Sequence, residues 1–351
     1  MHLVIHKEDL ARVLSAVAKV VESRNTIQIL SCVMLTAAAS GSAGGLSVMA
    51  TDLDILATAG APATVNAAGS ICVEAKLLTD IARKATGDIT MILDDGKLVV
   101  KSGRSRFSLQ TLPAEDFPNL GTHNYDAEFE TDLAALFAPV SFAMSSEETR
   151  FYLQGIYLEP TAATATDGHR LGTNAADLPE FTPVIVPRKL VGLVPKGAVK
   201  VSISQQKIRL ETDALTLTSK LIDGTYPDYR RIMPKQNDKL VKVDRDALMK
   251  AADRVSTVSS ERGRAVKLSI SPGGVRLAVN SADAGSAEDE IEAEYSGEPL
   301  DIGFNAAYLK ELMGVLPAGE VTIALADSGS PTLITGGTEG PTLVLMPMRV
   351  S

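Results

Sequence analysis

Apolar residues recur at helical spacing near the start of the chain, where Leu10, Val13, Leu14 and Val17 are interleaved with polar positions. Side chains three and four residues apart share one face of an α-helix, so this pattern predicts an amphipathic helix over 7–24. The same reasoning predicts five more helices, over 73–85, 130–144, 186–197, 244–255 and 304–316. Alternating apolar and polar residues predict strands over 29–37, 46–49, 54–58, 89–93, 98–102, 106–112, 155–159, 162–165, 200–204, 207–212, 214–221, 265–271, 274–280, 287–295, 320–326, 331–335 and 341–346.

The helix pattern repeats three times along the chain. Leu10, Leu133 and Leu248 each open a first helix, at spacings of 123 and 115 residues. A second helix start recurs at Leu77, Leu190 and Tyr308, at spacings of 113 and 118 residues. Each third therefore follows the order helix, strands, helix, strands, and a repeat of this length predicts three similar domains. The predicted boundaries are 1–121, 122–236 and 237–351.

The predicted elements give each domain two halves, each with one helix and an antiparallel set of strands. Helices that cover one side of such sheets define an α+β class with two layers. Asp94, Asp95 and Gly96 lie between two predicted strands of the first domain and indicate a hairpin turn there.

The composition is typical of a soluble, intracellular protein without a membrane segment. Hydrophobic residues make up 45% of the 351 residues, which is ample for a core in each domain. The apolar runs are much shorter than the roughly 20 residues that span a bilayer. Cys32 and Cys72 lack the spacing of a metal or redox motif, so we expect buried free thiols. We therefore expect a cytoplasmic location.

The charge is unevenly distributed between the helices and the rest of the chain. The net charge is −9, which taken alone argues against a nucleic-acid partner. The predicted helices nevertheless carry 14 Lys and Arg against 11 Asp and Glu, so the remainder of the chain carries −12. Two interpretations stay open: ordinary solvated helix faces, or a layer of helices that forms a weakly basic surface.

A small group of polar residues could suggest an active site: Asp167, His169, Arg170 and Asp228. His169 and Asp167 could act as a general base and its orienting carboxylate, which is the hydrolase alternative. The same residues also fit a tight turn between two strands, with Gly168 at positive φ and Asp167 accepting backbone N–H groups. Because no nucleophile, metal-ligand or phosphate-binding motif accompanies them, we predict no catalytic residue, no metal site and no cofactor.

Residues 165–171 (ATDGHRL) closely resemble the signature of the bacterial DNA polymerase III beta subunit family, the sliding clamps. Other segments agree with this family, in order, along the whole chain: 24–30 (RNTIQIL), 102–109 (SGRSRFSL), 112–118 (LPAEDFP), 149–153 (TRFYL), 184–189 (VIVPRK), 223–231 (DGTYPDYRR) and 346–350 (MPMRV). Residues 146–150 (SEETR) are similar to the clamps of alphaproteobacteria.

The resemblance implies a ring made by a head-to-tail homodimer of three-domain chains. Helices would line the hole, sheets would form the outer wall, and double-stranded DNA would pass through without sequence readout. The positions that match the family's DNA-facing residues are Arg24, Lys76, Arg83, Phe151, Tyr152, Arg188 and Lys189.

The resemblance also implies a hydrophobic cleft that binds short peptide motifs of partner proteins. Its implied partners are the DNA polymerase III alpha subunit, the delta subunit of the clamp loader and other proteins with a clamp-binding motif. The matching positions are Leu153, Thr166, Gly168, His169, Arg170, Leu171, Pro234, Val344, Met346, Pro347, Met348 and Arg349. The Leu and Met side chains would make an adaptable apolar trough, and His169 and Arg170 would offer donors at its rim.

Opposite charges on two predicted strands indicate how the ring would close. Arg104 and Arg106 alternate with Phe107 and Leu109 at the end of the first domain, and Glu290, Glu292 and Glu294 alternate on a strand of the third. Pairing of these edges across two chains would bring the charges together, with Phe107 and Val258 as apolar contacts.

The sequence therefore predicts a DNA polymerase processivity factor that is not an enzyme. It would encircle duplex DNA, slide along it, and tether the replicative polymerase and other replication and repair proteins. The alternatives are a clamp paralogue dedicated to repair or inhibitor resistance, and the hydrolase that uses His169 and Asp167.

Overall fold

The computed structural model describes residues 1–22, 24–38, 45–118, 121, 124–258, 265–282, 284–337 and 340–350. The chain divides into two compact units. The first unit comprises Met1–Thr131 and Leu193–Leu221, and the second comprises Asp132–Gly192 and Ile222–Ser351. Elements are numbered along the chain, and each unit is described by itself.

The first unit is built on one thirteen-stranded sheet. Its helices and strands are α1 (Lys7–Val17), α2 (Ala75–Lys84), β1 (His2–His6), β2 (Cys32–Ala38), β3 (Gly45–Thr51), β4 (Ile55–Ala61), β5 (Thr64–Ala67), β6 (Gly69–Glu74), β7 (Asp88–Asp94), β8 (Lys97–Ser102), β9 (Ser105–Leu112), β10 (Ala127–Thr131), β15 (Val199–Ile203), β16 (Lys207–Glu211) and β17 (Thr216–Lys220). The strand order is β10-β15-β16-β17-β4-β3-β2-β6-β9-β8-β7-β1-β5. Helix α1 packs against α2 and against β4.

The second unit contains an eight-stranded and a four-stranded sheet. Its elements are α3 (Leu133–Phe137), α4 (Arg188–Val191), α5 (Arg245–Ser256), α6 (Ala306–Val315), β11 (Gly155–Glu159), β12 (Ala162–Thr166), β13 (Arg170–Ala175), β14 (Val184–Pro187), β18 (Lys239–Asp244), β19 (Ala265–Ser271), β20 (Gly274–Ser281), β21 (Gly285–Glu292), β22 (Leu300–Asn305), β23 (Glu320–Leu325), β24 (Thr332–Thr335) and β25 (Thr342–Leu345). The larger sheet has the order β14-β11-β12-β13-β25-β24-β23-β18, and the smaller one has the order β21-β20-β19-β22.

Six copies of one motif account for all the described elements except β5 and the short 3₁₀ turns. Each copy is a strand, a helix and three further strands, and it begins at β1, β6, β10, β14, β18 or β22. The strand before each helix pairs in the sheet of the neighbouring copy: β1 with β7 and β6 with β2, and likewise β18 with β23 and β22 with β19. The predicted organisation of six helix-and-sheet halves in an α+β chain is confirmed.

Helix α5 shows why these segments are helical. Its buried residues are Leu248, Ala251, Ala252 and Val255, which form the stripe of positions three and four apart that an amphipathic helix requires. The Asp244 carboxylate accepts a hydrogen bond from the Ala247 N–H, at 2.8 Å, and caps the first turn.

Two of the predicted helices are much shorter than the sequence pattern suggested. Helix α3 ends at Phe137, whereas the prediction ran to residue 144 across Pro139, which cannot continue a regular helix. Helix α4 covers only Arg188–Val191 because Gly192 and Pro195 follow it. Helix α1 ends at Val17 rather than at residue 24.

The strands that enter the helices were absent from the prediction. The predicted helix over 73–85 included the end of β6, and Leu77, the residue that marks this helix in the repeat, is 42% exposed. The predicted hairpin is confirmed, because Asp95 and Gly96 both have positive φ, at 46° and 71°, between β7 and β8. Cys32 and Cys72 are buried free thiols as predicted, and burial raises the pKa of Cys72 to about 12.

No helix within the described residues is long and apolar enough to cross a membrane.

Candidate functional site

A tight turn between β12 and β13 organises the candidate cleft of the second unit. The Asp167 Oδ1 atom accepts hydrogen bonds from the backbone N–H groups of His169, at 2.9 Å, and Arg170, at 3.0 Å. Gly168 has a φ of 90°, and its N–H donates to the Thr166 hydroxyl at 3.1 Å. The turn predicted from the sequence therefore forms, with Gly168 and Asp167 in the predicted conformational roles. We call residues 166–171 the cleft turn.

The strand after this turn brings the C-terminal segment alongside it. Leu171 lies opposite Val344 in the pairing of β13 with β25, and the Met346 N–H donates to the His169 carbonyl at 2.9 Å. Leu171 and Val344 are buried together with Tyr229. Met346 and Met348 are 39% and 40% exposed, so they present flexible apolar side chains to solvent.

A second apolar cluster continues this surface. Leu153, Ile185 and Tyr226 are buried together, and Tyr157 packs against both this cluster and the one around Leu171. The rings of Tyr157 and Tyr226 stack at 4.7 Å between centroids with an interplanar angle of 5°. Leu153 and Leu171, both predicted from the sequence, are thus linked by a continuous aromatic contact.

Several apolar residues of this surface were missed by sequence reasoning: Tyr157, Tyr226, Tyr229, Met233 and Leu333. Tyr226 and Tyr229 lie in the segment 223–231, which was recognised as a family feature without a role. Tyr229 is held by a buried carboxylate, since its hydroxyl donates to Glu159 at 2.6 Å while Arg230 donates to the same oxygen at 2.5 Å. Burial, followed by this hydrogen bond, raises the pKa of Tyr229.

The other predicted cleft residues flank this surface. Pro234 follows Met233 and is half-buried, as is Pro347, while Arg349 is exposed. The Met348 N–H donates to the Gly303 carbonyl at 2.7 Å and attaches the C-terminal segment to β22. The assignment of all these residues to one peptide site stays a prediction.

Arg170 lies inside the structure rather than at the surface. Its side chain is 10% exposed, and its Nε donates to Asp167 at 3.0 Å while Nη1 pairs with Glu311 of α6. Its guanidinium carbon lies 4.2 Å from the ring centroid of Tyr308 and 5.3 Å from that of Phe142.

These contacts bear directly on the hydrolase alternative. Asp167 accepts from two backbone N–H groups and from Arg170, so its carboxylate does not orient the His169 imidazole. The nearest described ring to His169 is that of Tyr308, at 6.4 Å between centroids. Within the described residues, no cluster of three His, Cys, Asp or Glu side chains could hold a metal ion.

The predicted DNA-facing residues of the first unit are exposed cations. Lys76 and Arg83 lie on α2, and Arg83 donates to the Ser15 hydroxyl of α1 at 3.2 Å. Neither they nor Arg24 have an ion-pair partner in the described part of the chain. Three acids, Glu22, Glu74 and Asp80, share the hollow between these helices with Lys76 and Arg83, so the acids outnumber the cations there by one.

The predicted DNA-facing residues of the second unit include two aromatic rings. Phe151 is 50% exposed, and its ring meets that of Tyr152 edge-on at 5.7 Å. Arg188 donates to the Ser145 carbonyl at 3.3 Å, and Lys189 is exposed beside it.

Two cations on the long helices of the second unit are already paired with acids. Lys310 contacts Asp253 at 2.8 Å, and Arg254 contacts Asp289 at 2.6 Å. The hydrogen bonds from these cations lower the pKa of Asp253 and of Asp289. Lys310 and Arg254 therefore differ from Lys76 and Arg83, which have no ion-pair partner among the described residues.

The predicted subunit edges are two strand segments with one free side. Residues 105–110 of β9 pair only with β8, and β21 pairs only with β20, within the described residues. Arg104, Arg106 and Phe107 are exposed, whereas Leu109 is buried. Among the described residues, Arg104 and Arg106 have no ion-pair partner, and neither do the exposed Glu290 and Glu292.

One predicted edge residue, Glu294, lies beyond the strand on which it was expected. Glu294 follows the end of β21, where its backbone pairs with Lys242 and its carboxylate lies 3.6 Å from the Lys242 ammonium. Glu288, which was not predicted, continues the face of Glu290 and Glu292 and pairs with Arg276. Val258 packs against the core of the second unit.

Comparison with known proteins covers the entire chain. Residues 1–121, 130–228 and 230–349 match the N-terminal, central and C-terminal domains of the DNA polymerase III beta subunit. The chain is 40% identical to the beta sliding clamp of Caulobacter vibrioides, with 100% of both proteins covered. The solved structure of Caulobacter crescentus pol III beta is 40% identical and superposes with a TM-score of 0.95, again covering 100% of both chains. The clamp of Bartonella birtlesii bound to griselimycin is 38% identical, with a TM-score of 0.94 and full coverage of both chains.

Proposed function

Because this chain belongs to the DNA polymerase III beta subunit family, the sliding clamps, we propose that two copies close head to tail around duplex DNA. The chain is a processivity factor of DNA replication and a non-catalytic subunit of the polymerase. The resemblance to alphaproteobacterial clamps is confirmed by the identity with the Caulobacter protein.

The observation that carries the ring proposal is the way successive domains are joined within the chain. Strand β4 of the first domain pairs with β17 of the central domain, and β13 of the central domain pairs with β25 of the third. In both junctions the last strand of a domain's first half pairs with the last strand of the next domain's second half. Two such strands have no partner of this kind within the described part of the chain: β21, which ends the first half of the third domain, and β9, which ends the second half of the first domain. These are the two strands with a free side.

Pairing of β21 with β9 of a second chain would therefore repeat the internal junctions. It would bring Glu290 and Glu292 opposite the unpaired Arg104 and Arg106, which favours contact between oppositely charged edges. Phe107, 39% exposed, would supply apolar area to the same contact. A head-to-tail contact of this kind closes into a ring after two chains when the rotation permits.

The proposed DNA contact is electrostatic and independent of sequence. Arg24, Lys76, Arg83, Arg188 and Lys189 would act on phosphates, and Phe151 and Tyr152 would contact the strand by their rings. A net charge of −9 supports weak attraction, which suits a protein that slides.

The proposed partner site is the apolar surface between Leu153 and Met348, with the cleft turn at its edge. It would bind short peptide segments of the polymerase alpha subunit, the clamp-loader delta subunit and other replication and repair proteins. Griselimycin, which the Bartonella clamp binds, would compete with these peptides here. We further propose that the chain acts in the cytoplasm.

One experiment tests the topological part of the proposal. The protein is loaded onto a nicked circular plasmid by a clamp loader, and bound protein is measured by gel filtration before and after the plasmid is cut once. We expect retention on the circle and loss after cutting, with a cut made before loading as the control. Retention on linear DNA with open ends would contradict encirclement.

A further inference from the structure

Arg170 was expected to offer a hydrogen-bond donor to the bound peptide, but its surroundings indicate a different role. The planar guanidinium has five N–H donors, and carboxylates occupy two of them: Asp167 at Nε and Glu311 at Nη1. The Phe142 and Tyr308 rings pack beside the guanidinium. The side chain is only 10% exposed, so these two ion pairs account for most of its polar contacts.

The first unit shows that the turn itself does not need an arginine. Residues 51–56, which we call the counterpart turn, have the same hydrogen bonds: Asp52 Oδ1 accepts from the N–H groups of Asp54, at 3.0 Å, and Ile55, at 2.7 Å. Ile55 occupies the position of Arg170 and is 1% exposed. An apolar side chain therefore suffices to complete this turn, and the arginine must have another function.

That function is visible in what Arg170 connects. Asp167 belongs to the cleft turn, whereas Glu311 and Tyr308 belong to α6, so the guanidinium joins the turn to a helix distant in sequence. The same turn holds the His169 carbonyl that binds the Met346 N–H. A shift of the turn would consequently move both His169 and Met346, two residues of the proposed cleft.

From these contacts we infer that Arg170 is a positioning residue, which fixes the edge of the cleft to α6 through Glu311. His169, whose side chain is exposed, lies at the same edge. This inference rests on the proposed peptide-binding function of the cleft. It assigns to Glu311, which no cleft prediction included, a direct influence on ligand affinity.

The test measures griselimycin affinity by calorimetry for the full-length protein and for Glu311→Gln, Arg170→Met and the double variant. Each single variant should weaken binding about tenfold, the equivalent of one charge-assisted hydrogen bond. The double variant should be no weaker than the single ones, because the two residues act as one connection. Glu128→Gln, which removes an exposed ion pair with Lys200 in the first unit, is the matched control and should bind like wild type.

If Arg170 bound the ligand directly, the affinity of one variant would change in the opposite direction. Glu311→Gln would then free the guanidinium and strengthen or preserve binding, and either result would overturn the inference. Additive losses in the double variant would overturn it as well.

A second measurement separates this inference from the proposed function. Hydrogen exchange of the His169 and Arg170 amides, without ligand, should accelerate in Glu311→Gln while the α5 amides stay unchanged. Unchanged exchange in the cleft turn would overturn the positioning role. Failure of the wild-type protein to bind griselimycin or a peptide copied from the polymerase alpha subunit would instead contradict the proposed cleft.

Discussion

The counterpart turn of the first unit and the cleft turn of the second have the same backbone hydrogen bonds but different side chains. In both, a threonine hydroxyl accepts the N–H two residues later, and an aspartate accepts the two following N–H groups. In both, a backbone N–H at the end of the neighbouring strand donates a hydrogen bond to the turn. Lys220 donates to the Asp54 carbonyl, and Met346 donates to the His169 carbonyl. The repeat therefore preserves the main chain of this junction closely.

The side chains at these equivalent positions differ in kind. In the first unit, Lys220 pairs with Asp54 at 3.0 Å, so the end of the junction carries an ion pair. In the second unit, Met346 and His169 replace them and leave an apolar surface with one titratable donor. The comparison teaches that a binding site can be made on a repeated framework by changing a few side chains, without changing the turn that presents them.

The largest effect is expected at the proposed third junction, where the two strands belong to different chains. Arg104→Glu combined with Arg106→Glu would oppose Glu290 and Glu292 with like charges, and we expect the dimer to become a monomer. The mass in solution, measured by light scattering, checks this outcome.

Two controls make that result specific. Lys196→Glu with Lys235→Glu changes the net charge equally at exposed positions and should leave the dimer intact. Adding Glu290→Arg and Glu292→Arg to the charge-reversed edge should restore the dimer. An unchanged mass for the Arg104 and Arg106 variant would remove these strands from the interface.

The next largest effect, on ligand affinity, is expected when the side chains of one turn and its neighbouring strand replace those of the other. His169→Asp with Met346→Lys copies the ion pair of the first unit into the second, and we expect griselimycin affinity to fall by about a hundredfold or more, because a charged pair would replace apolar contact area. Calorimetry measures the affinity, and the thermal midpoint reports whether the fold is intact.

The reciprocal exchange in the first unit provides the control. Asp54→His with Lys220→Met should leave griselimycin affinity within about twofold of wild type. Equal losses in both exchanges would mean that these substitutions act through folding, and the contrast between the turns would then have no functional meaning.

A moderate effect on the salt dependence of DNA binding is expected when cations are removed from each unit. Lys76→Ala with Arg83→Ala removes unpaired charges, so the slope of log affinity against log salt concentration should fall by about two. Arg254→Ala with Lys310→Ala removes charges already paired with acids and should change the slope by less than one. Fluorescence anisotropy with a short duplex over a salt series tests this, and equal slopes for both variants would contradict the difference.

The smallest effect concerns acid stability in the second unit. Because the hydrogen bond from Arg254 lowers the pKa of Asp289, the pair stabilises the folded state above the usual aspartate pKa of 3.8. This stabilisation is lost as the pH falls through the lowered folded value. Arg254→Met should thus be less stable than wild type at pH 7 and equally stable near pH 2, as measured by urea unfolding.

The exposed pair of Arg12 and Asp9 on α1 serves as the comparison in the first unit, with side chains 48% and 36% exposed. Arg12→Met should lower stability less at pH 7. A difference between wild type and Arg254→Met that persists at pH 2 would assign the effect to packing rather than to charge.

The sequence predicted those features that depend on local pattern. The cleft turn was predicted because Gly168 and Asp167 have strong turn preferences, and the hairpin at Asp95 for the same reason. The strands that enter each helix were missed because a short strand followed at once by a helix, such as β6 before α2, gives no break in the apolar pattern. The excess length predicted for α3 came from weighing periodicity above Pro139.

The role of Arg170 could not be predicted because it depends on a residue far along the chain. Nothing local to position 170 indicates Glu311, and the resemblance assigned the arginine to the binding surface. The position of Glu294 shows the same limit, since only the three-dimensional contact with Lys242 separates it from Glu290 and Glu292. Long-range partners of charged residues are what the structure adds.

The exchange of the first strand between neighbouring copies of the motif has a consequence for how the chain emerges from the ribosome. Among the described residues, strand β10 pairs only with β15, so Phe129 cannot pair with Val201 until the intervening segment has been synthesised. At about 5–20 residues per second, this edge waits several seconds without its partner. Codon usage that slows synthesis between these strands should therefore increase aggregation of the nascent chain, and a half-domain expressed alone should not fold.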